Sequence, residues 1–201
     1  AAVAMLLTAK KPVISVNGNV AVLCPSEIIK LSKVLNSPLE VNIFYRSAER
    51  EEAILDILTK NGANEILGLD KEYQTEIKEL SHLRRIVDQR GIYIADVVLV
   101  PLEDGDRTMA LRKMGKKVIS IDLNPLSRTS LWSNITIVNN IIRVIPEMIK
   151  ITNELRLKSR NELHEILKNF DNYKSLQETI EFITLRLKEL TKGKLEKSVK
   201  G

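Results

Sequence analysis

The densest group of reactive side chains in the sequence is PLEDGDRT, at residues 101–108. It continues an apolar run that predicts a buried strand over 96–101, and it leads into a predicted helix over 106–115. The free backbone N–H groups and the positive dipole end of a helix start bind anions such as phosphate. A strand that delivers these residues to a helix start therefore predicts an anion-binding site.

Two arginines favour this interpretation, and two helix-capping residues offer a structural alternative. Arg107 and Arg112 can complement phosphate oxygens by charge and by bidentate hydrogen bonds. Asp106 or Thr108 can instead be a plain N-cap, and Arg112 can simply answer the negative end of the helix dipole. Both interpretations stay open on the residues alone.

A second polar cluster, DLNPLSRT, follows the next predicted strand of the chain. Asp122 and Asn124 can hydrogen-bond ribose hydroxyls or an adenine edge, and Ser127, Arg128 and Thr129 can reach an anion. The alternative is an ordinary capped turn, because Asp, Asn, Pro and Ser are typical turn residues. Both interpretations stay open for this cluster as well.

Two more polar clusters lie at the ends of earlier predicted strands. Asn17 and Asn19 flank a glycine directly after the first strand. Asn42 lies inside the next predicted strand, and Tyr45 and Arg46 close it. The Asn-Gly-Asn triplet is also typical of a tight turn, because Asn and Gly tolerate positive φ.

The elements that position these clusters follow from the apolar pattern. Six apolar segments predict strands, at residues 12–16, 39–45, 65–69, 96–101, 116–122 and 134–138. Their apolar runs are nearly continuous, which is typical of a parallel sheet with helices on both faces, an α/β fold. Ligands bind such sheets at the carboxyl ends of the strands, so we expect all four clusters to meet there.

Helical patterns fill the connections. One helix is predicted over 24–36 with Ser26 as its N-cap, and another over 47–62 with Ser47 as its N-cap. Residues 70–92 are polar, and within them a helix is predicted over 76–89.

From residue 139 the chain changes to long amphipathic helices, which are typical of packing on the domain or on a second subunit. We therefore divide the chain into a domain at 1–150 and a helical extension at 151–201.

Composition narrows the classes of protein. The chain has 201 residues and no apolar run near the roughly 20 residues that cross a bilayer, so no membrane association is expected. The single cysteine excludes an internal disulfide and favours a reducing, cytoplasmic setting. The net charge is +5, but only 4% of residues are aromatic, so no nucleic-acid binding is expected from the lysine-rich last ten residues.

Common catalytic patterns are missing from the sequence. It contains neither a Walker motif nor G-x-G-x-x-G, and no Ser-His-Asp arrangement can be argued from spacing. His82 and His164 are far apart on polar or amphipathic segments, and we expect both to be solvated. The residues alone therefore indicate an α/β protein with an anion- or nucleotide-binding edge.

Four segments carry a family resemblance: AAVAMLLTAKKPVISVNGNVAVLCPSEIIKL, LEVNIFYRSAER, ADVVLVPLEDGDRTMALRKMGKKVISIDLNPLSRTS and ITIVNNIIRVIP. Together they resemble the archaeal 4-phosphopantoate–β-alanine ligase family, also called archaeal phosphopantothenate synthetase. The resemblance covers residues 1–150. It implies a Rossmann-like homodimer that joins 4-phosphopantoate to β-alanine with ATP, through an acyl-adenylate, in coenzyme A biosynthesis.

The resemblance also implies roles for particular residues. Its candidates for ATP binding are Gly105, Asp106, Arg107, Thr108, Arg112, Asp122, Leu123 and Asn124. Its candidates for the two other substrates are Asn17, Asn19, Asn42, Tyr45 and Arg46. Asn17 and Arg107 are the expected catalytic residues. Mg²⁺ is an expected partner of ATP, with Asp104 and Asp106, and beside them Glu103, as candidate ligands.

One feature of the family is missing from the sequence. Family members carry an N-terminal helical segment with arginines that help to bind ATP, and nothing before AAVAMLL matches it. The chain begins at Ala1, so we expect either a truncated sequence or a protein without full activity. The alternative function is therefore a catalytically incomplete nucleotide-binding regulatory module.

Overall fold

The computed structural model describes residues 1–80 and 82–191 of the chain. Its strands are β1 (Pro12–Val16), β2 (Leu39–Val41), β3 (Ile66–Leu67), β4 (Gln74–Glu76), β5 (Ile86–Asp88), β6 (Val97–Pro101), β7 (Lys117–Asp122) and β8 (Ile135–Val138). Its α-helices are α1 (Ala2–Thr8), α2 (Gly18–Leu23), α3 (Pro25–Leu35), α4 (Ala48–Lys60), α5 (Gly105–Lys113), α6 (Arg128–Trp132), α7 (Ile141–Leu155), α8 (Arg160–Lys168) and α9 (Asn172–Thr191). The lysine-rich last ten residues lie outside the described part of the chain.

Six strands form one parallel sheet in the order β3-β2-β1-β6-β7-β8, which confirms the predicted α/β fold. The predicted second strand is longer than the observed one, because β2 ends at Val41. The sheet first grows from β1 toward β3 and then from β6 toward β8. The ends of β1 and β6 therefore form the topological switch point, where ligands bind in sheets of this type.

The two faces of this sheet differ in chemistry, because successive side chains of a strand point to opposite sides. One face, here called the apolar face, packs against α1, α3, α4 and α7, and its buried strand residues are Ile14, Val16, Leu39, Val41, Val97, Leu99, Ile119, Ile121 and Ile135. The opposite face, here called the polar face, begins with valines and carries Ser15, Glu40 and Ser120, all buried. Helix α5 and the chain before β6 cover it.

Local capping explains where the helices begin. The Ser47 hydroxyl accepts a hydrogen bond from Arg50 N at 3.4 Å, as predicted for α4, and Gly62 with φ of +90° follows the helix end. The predicted N-cap Ser26 is wrong. Cys24 occupies that position and Pro25 is the first helical residue, where a missing N–H has no cost. Ser26 Oγ instead donates to Asn61 Oδ1 at 2.7 Å.

The predicted helix over 76–89 is wrong. In its place β4 and β5 pair antiparallel, with Thr75 opposite Val87, and a short 3-10 turn at Leu83–Arg85 leads into β5. The residues before and after β5 continue as a segment at 82–95, whose Val87 and Ile92 pack on the polar face. A two-stranded hairpin is marginal alone, so the sheet beneath it decides its conformation.

The C-terminal helices continue the fold of the first part. Helix α7 runs through residue 150, so the predicted boundary falls inside a helix. Arg156 donates to Val34 O and Arg160 donates to Thr8 O, which ties the ends of α7 and α8 to the N-terminal part. The division into two domains stays a prediction. Across the described residues, no helix combines the length and apolarity that crossing a membrane requires.

Candidate functional site

Asn17 joins the two strand ends at the switch point. Its side-chain carbonyl accepts Val20 N at 3.1 Å and caps α2, so the triplet at 17–19 starts a helix and is not a plain turn. Its amide nitrogen donates to Pro101 O and Leu102 O, both at 3.1 Å. Both polar atoms of the side chain are therefore used, and the residue fixes the ends of β1 and β6 relative to each other.

A cavity of about 320 Å³ opens beside Asn17 at the carboxyl ends of β1 and β2, and we call it the strand-end cavity. Its lining residues are Asn17, Gly18, Asn19, Val22, Ile43, Phe44, Tyr45, Arg50, Ala53, Ile54, Ile57 and Arg84. The structure thus brings together three of the predicted substrate residues, namely Asn17, Asn19 and Tyr45.

Two cations in this cavity wall were missed by the sequence reasoning. Arg84 is 8% exposed, and its Nε has no hydrogen-bond partner among the described residues. It forms an ion pair with Asp104 at 3.0 Å and another with Glu103. Arg50 lies 5.7 Å above the Tyr45 ring. Burial lowers the pKa of Arg84 to about 10, which still leaves it charged at neutral pH.

Aromatic rings complete the wall around Arg84. The guanidinium of Arg84 lies 5.9 Å from the centroid of the Phe44 ring. The His82 ring packs against the same Phe44 ring, with the two ring centroids 4.8 Å apart. The expectation that His82 is solvated is wrong, because its side chain is only 18% exposed. A cavity with one buried cation, one exposed cation and aromatic walls suits an anion that also carries apolar groups.

The start of α5 is built by Asp104. Asp104 Oδ1 accepts Arg107 N at 2.8 Å, and the Thr108 hydroxyl donates to Asp104 O at 3.0 Å. The alternative in which Asp106 or Thr108 is the N-cap is therefore wrong, because Asp104 occupies that position. A Cβ on Gly105 would collide with Cβ of Arg128, so only glycine allows this close approach of α5 to α6.

Arg107 does not face an open site. Its side chain is fully buried under the polar face, where it pairs with Glu103 and donates to Ser15 Oγ at 3.0 Å. Burial lowers its pKa to about 10, and the nearby carboxylates of Glu40 and Asp104 oppose that shift. The expected direct contact of Arg107 with an anion is therefore corrected to a supporting position, because the helix start carries the side chain inward.

The loop after β7 is held by hydrogen bonds to the carboxylate of Asp122, at the end of that strand. Asp122 Oδ1 accepts Asn124 N at 2.9 Å, and Asp122 Oδ2 accepts the Ser127 hydroxyl at 2.5 Å. Ser127 is also the N-cap of α6, so this stretch is a capped turn. It lies at the carboxyl ends of the strands. Leu123 is 63% exposed at its tip.

One ion pair joins this loop to the start of α5. Arg128 Nη1 lies 2.7 Å from Asp106 Oδ1, with both side chains at least half exposed. The structure thus brings the two predicted nucleotide clusters together at the ends of β6 and β7.

Three predicted site residues lie elsewhere. Arg112 is at the far end of α5, where it donates to Asn134 Oδ1 at 2.8 Å near the starts of β7 and β8. Arg46 pairs with Glu51 and donates to Gly68 O. Asn42 is fully buried and lines no part of the strand-end cavity. These side chains are occupied by the fold itself, and spacing in the sequence does not reveal such long-range partners.

The burial and the ion pairs of the three candidate carboxylates decide which of them can hold Mg²⁺. Among the described residues, no group of three or more His, Cys, Asp or Glu side chains could hold a metal ion. Glu103 is 1% exposed and pairs with Arg84 and Arg107, so its charge is already compensated. Asp106 is 50% exposed and remains accessible. In contrast, Asp104 Oδ1 accepts Arg107 N and Asp104 Oδ2 is buried beside Arg84. One accessible carboxylate fits Mg²⁺ that is held mainly by phosphates.

The chain matches known proteins over nearly all of its length. The profile of the family described as phosphopantothenate/pantothenate synthetase matches residues 1–186. The chain is 50% identical over 194 residues to 4-phosphopantoate–β-alanine ligase of Thermococcus onnurineus, covering 96% of this chain and 74% of that protein. It is 51% identical over 191 residues to the Thermococcus kodakarensis ligase, covering 94% and 72%. It is 47% identical over 190 residues to the Methanosarcina mazei ligase, covering 94% and 74%.

Proposed function

Because the chain belongs to the phosphopantothenate/pantothenate synthetase family, we propose that it is a 4-phosphopantoate–β-alanine ligase of coenzyme A biosynthesis. The observation that carries the proposal is identity of 47–51% over more than nine-tenths of the chain to three proteins with that name. The alternative, a catalytically incomplete regulatory module, has no support from these relatives.

In the proposed reaction, a carboxylate oxygen of 4-phosphopantoate attacks the α-phosphorus of ATP and pyrophosphate leaves. The amine of β-alanine then attacks the acyl carbon of the adenylate. AMP leaves with the former carboxylate oxygen, the nitrogen loses a proton, and 4-phosphopantothenate results. No covalent enzyme nucleophile is required, because the chain's main task is to hold the reactants in line and to compensate charge.

We place ATP over the start of α5 and the loop after β7. The backbone N–H groups at Gly105 and Asp106 suit a phosphate, and Arg128 supplies an exposed cation beside them. Asp122 and Asn124 suit ribose hydroxyls, and exposed Leu123 suits the adenine ring. Thr108 and Arg107 support this edge from inside, since both are buried.

We place 4-phosphopantoate in the strand-end cavity. Arg84 and Arg50 are the cations that suit its phosphate, because the buried Arg84 guanidinium has an Nε without a partner among the described residues and the exposed Arg50 lies in the same cavity wall. Asn19 and Tyr45 line the same space and suit its hydroxyl and carboxylate, and Asn17 fixes the strand ends beside them. The cavity lies at the end of β1, next to the start of α5, so the carboxylate can meet the α-phosphate of ATP there.

Three finer points complete the proposal. Asp106, with Asp104 beside it, would hold Mg²⁺ together with the triphosphate, and the ion would neutralise phosphate charge there. The protein works as a homodimer, with the exposed apolar residues Phe182 and Leu185 of α9 as interface material. It acts in the cytoplasm, which suits its single free cysteine.

The test incubates the purified full-length protein with ATP, 4-phosphopantoate and β-alanine and separates the products by chromatography. The expected result is equal amounts of AMP, pyrophosphate and 4-phosphopantothenate, with none formed when any one substrate is omitted. Failure to form AMP and 4-phosphopantothenate in the complete mixture would overturn the proposal. Light scattering of the same sample tests the homodimer.

A further inference from the structure

Asn42 holds the chain that carries Arg84. Its side-chain amide donates to Arg84 O at 3.2 Å and to Ile86 O at 2.9 Å. Asn42 itself is fully buried, and its own backbone N–H donates to Val16 O at 2.9 Å, which extends the pairing of β2 with β1. One side chain thus ties the backbone on either side of Arg85 to the sheet.

Glu40 holds the same segment two residues earlier on β2. Its carboxylate accepts Asp88 N at 2.9 Å and Ile92 N at 2.5 Å. Residues two apart on a strand point to the same face, so Glu40 and Asn42 form one docking strip for residues 82–95. Gly91 is required beside it, because a Cβ there would collide with the Glu40 carboxylate.

The segment held by this strip is weak on its own. The strands β4 and β5 are only three residues long and form a two-stranded sheet separate from the large one. Local pairing of this length does not fix a loop position. The strip on β2 therefore decides where the segment lies, and with it the place of Arg84 in the cavity wall.

We propose that Asn42 and Glu40 are positioning residues for the acid substrate, which act by fixing Arg84 in the wall of the strand-end cavity. The inference rests on the proposed function, since it takes Arg84 as the partner of the substrate phosphate. Asn42 was predicted from the sequence to touch the substrate, and here it acts through the backbone of a residue that does.

The test is a double-mutant cycle in the full-length protein, with Kd for 4-phosphopantoate from calorimetry and KM for ATP from product formation. Arg84→Ala is expected to weaken 4-phosphopantoate binding by about 10- to 100-fold, as for a lost hydrogen bond to a charged group. Asn42→Ala is expected to weaken it by about 10-fold, because the unpaired carbonyls shift the segment. KM for ATP should change by less than about 2-fold in both.

The decisive comparison is Asn42→Ala in the Arg84→Ala background. If Asn42 acts through Arg84, the second change should weaken binding by less than about 2-fold, because coupled residues are not additive. Full additivity would overturn the inference. Glu40→Gln, which keeps one acceptor oxygen, is the second variant and should show the same coupling, in case Asn42→Ala does not fold.

Asn172 provides a matched control. Its side-chain amide also donates to two backbone carbonyls, Ser130 O and Ser133 O, both at 3.2 Å, near β8 at the other end of the sheet. Asn172→Ala should leave Kd for 4-phosphopantoate unchanged; a loss equal to that of Asn42→Ala would mean that any lost pair of such bonds has this effect and would overturn the inference. A wild-type protein that neither binds nor converts 4-phosphopantoate would overturn the proposed function itself.

Discussion

The two faces of the central sheet are built from the same strands but bury different kinds of side chain. On the apolar face, β1, β2, β6 and β7 each place two buried aliphatic residues against helices. On the polar face, the same strands place Ser15, Glu40 and Ser120 in the interior, with Arg107 above them. Because successive side chains of a strand point to opposite sides, one sheet can have an aliphatic face and a hydrogen-bonding face.

The difference shows how this fold separates stability from positioning. Aliphatic packing on one face stabilises the sheet without directional bonds. On the other face, hydrogen bonds fix the direction of each neighbouring segment, and buried charges stay only because they are paired. Bonds from Glu40 and Asn42 end on the segment that carries Arg84, and Arg84 lines the strand-end cavity. Variants on each face can therefore separate the effect of aliphatic packing from the effect of directional hydrogen bonds.

The largest expected effect is on the polar face. Arg107→Ala should lower the free energy of unfolding by about 3–5 kcal/mol, because it removes one of the two cations paired with the buried Glu103 and the cation that stabilises the charge of the buried Glu40. Urea unfolding followed by circular dichroism measures this. A loss below about 1 kcal/mol would contradict the buried ion pair.

On the apolar face, Leu99→Ala should lower the free energy of unfolding by about 3 kcal/mol, since Leu99 is fully buried in the centre of the sheet. The Kd for 4-phosphopantoate should stay within about 2-fold of wild type, because no directional bond is lost. Calorimetry on the folded variant checks this. Binding that falls as far as in Asn42→Ala would remove the distinction between the faces.

Glu40 gives the polar face a pH dependence. Burial raises its pKa from 4.5 to about 7, and hydrogen bonds from Ile92 N and Asp88 N and the charge of Arg107 only partly oppose this. The folded protein then binds more protons than the unfolded chain between pH 4.5 and 7. Its contribution to stability is present below pH 4.5 and is lost as pH rises through about 7.

The measurement compares urea unfolding of wild type and Glu40→Gln at pH 5 and pH 8. Relative to the glutamine variant, wild type should lose about 2–3 kcal/mol over this interval. Taking the difference between the two proteins removes the opposite contribution of groups such as Asp88, whose pKa is lowered. The same slope in both proteins would show that Glu40 does not titrate in this range.

The smallest effect should come from the polar face far from the cavity. Ser120 Oγ donates to Thr136 Oγ1 at 3.3 Å between β7 and β8. Ser120→Ala should cost about 1 kcal/mol of stability or less and leave 4-phosphopantoate binding unchanged. Weaker binding in this variant would extend the positioning role beyond β1 and β2.

The sequence predicted the parallel sheet because its strands are local apolar runs, each long enough to recognise. It also predicted that the clusters at Asn17 and Gly105 meet, since carboxyl ends of parallel strands share one edge. The polar face also has a recognisable pattern in the sequence. Glu40 and Asn42 stand at alternate positions of an otherwise apolar strand, which indicates buried polar partners on one side.

What the sequence could not predict depends on distant partners. The hairpin at β4 and β5 was predicted as a helix because its polar residues carry no clear period, and its shape depends on Glu40 and Asn42 far away in the chain. Arg107 was predicted to face an anion because a helix start is open by default. Its partner Ser15 lies 92 positions away, and no local pattern encodes that contact.

The transfer of a carboxylate oxygen tests the proposed ligase most directly. The full-length protein is incubated with ATP, β-alanine and 4-phosphopantoate labelled with ¹⁸O in its carboxylate, and the products are weighed by mass spectrometry. The account predicts one ¹⁸O in AMP for each 4-phosphopantothenate formed, because the acyl-adenylate leaves that oxygen on the α-phosphorus. Product with unlabelled AMP, or label in inorganic phosphate with release of ADP, would contradict it.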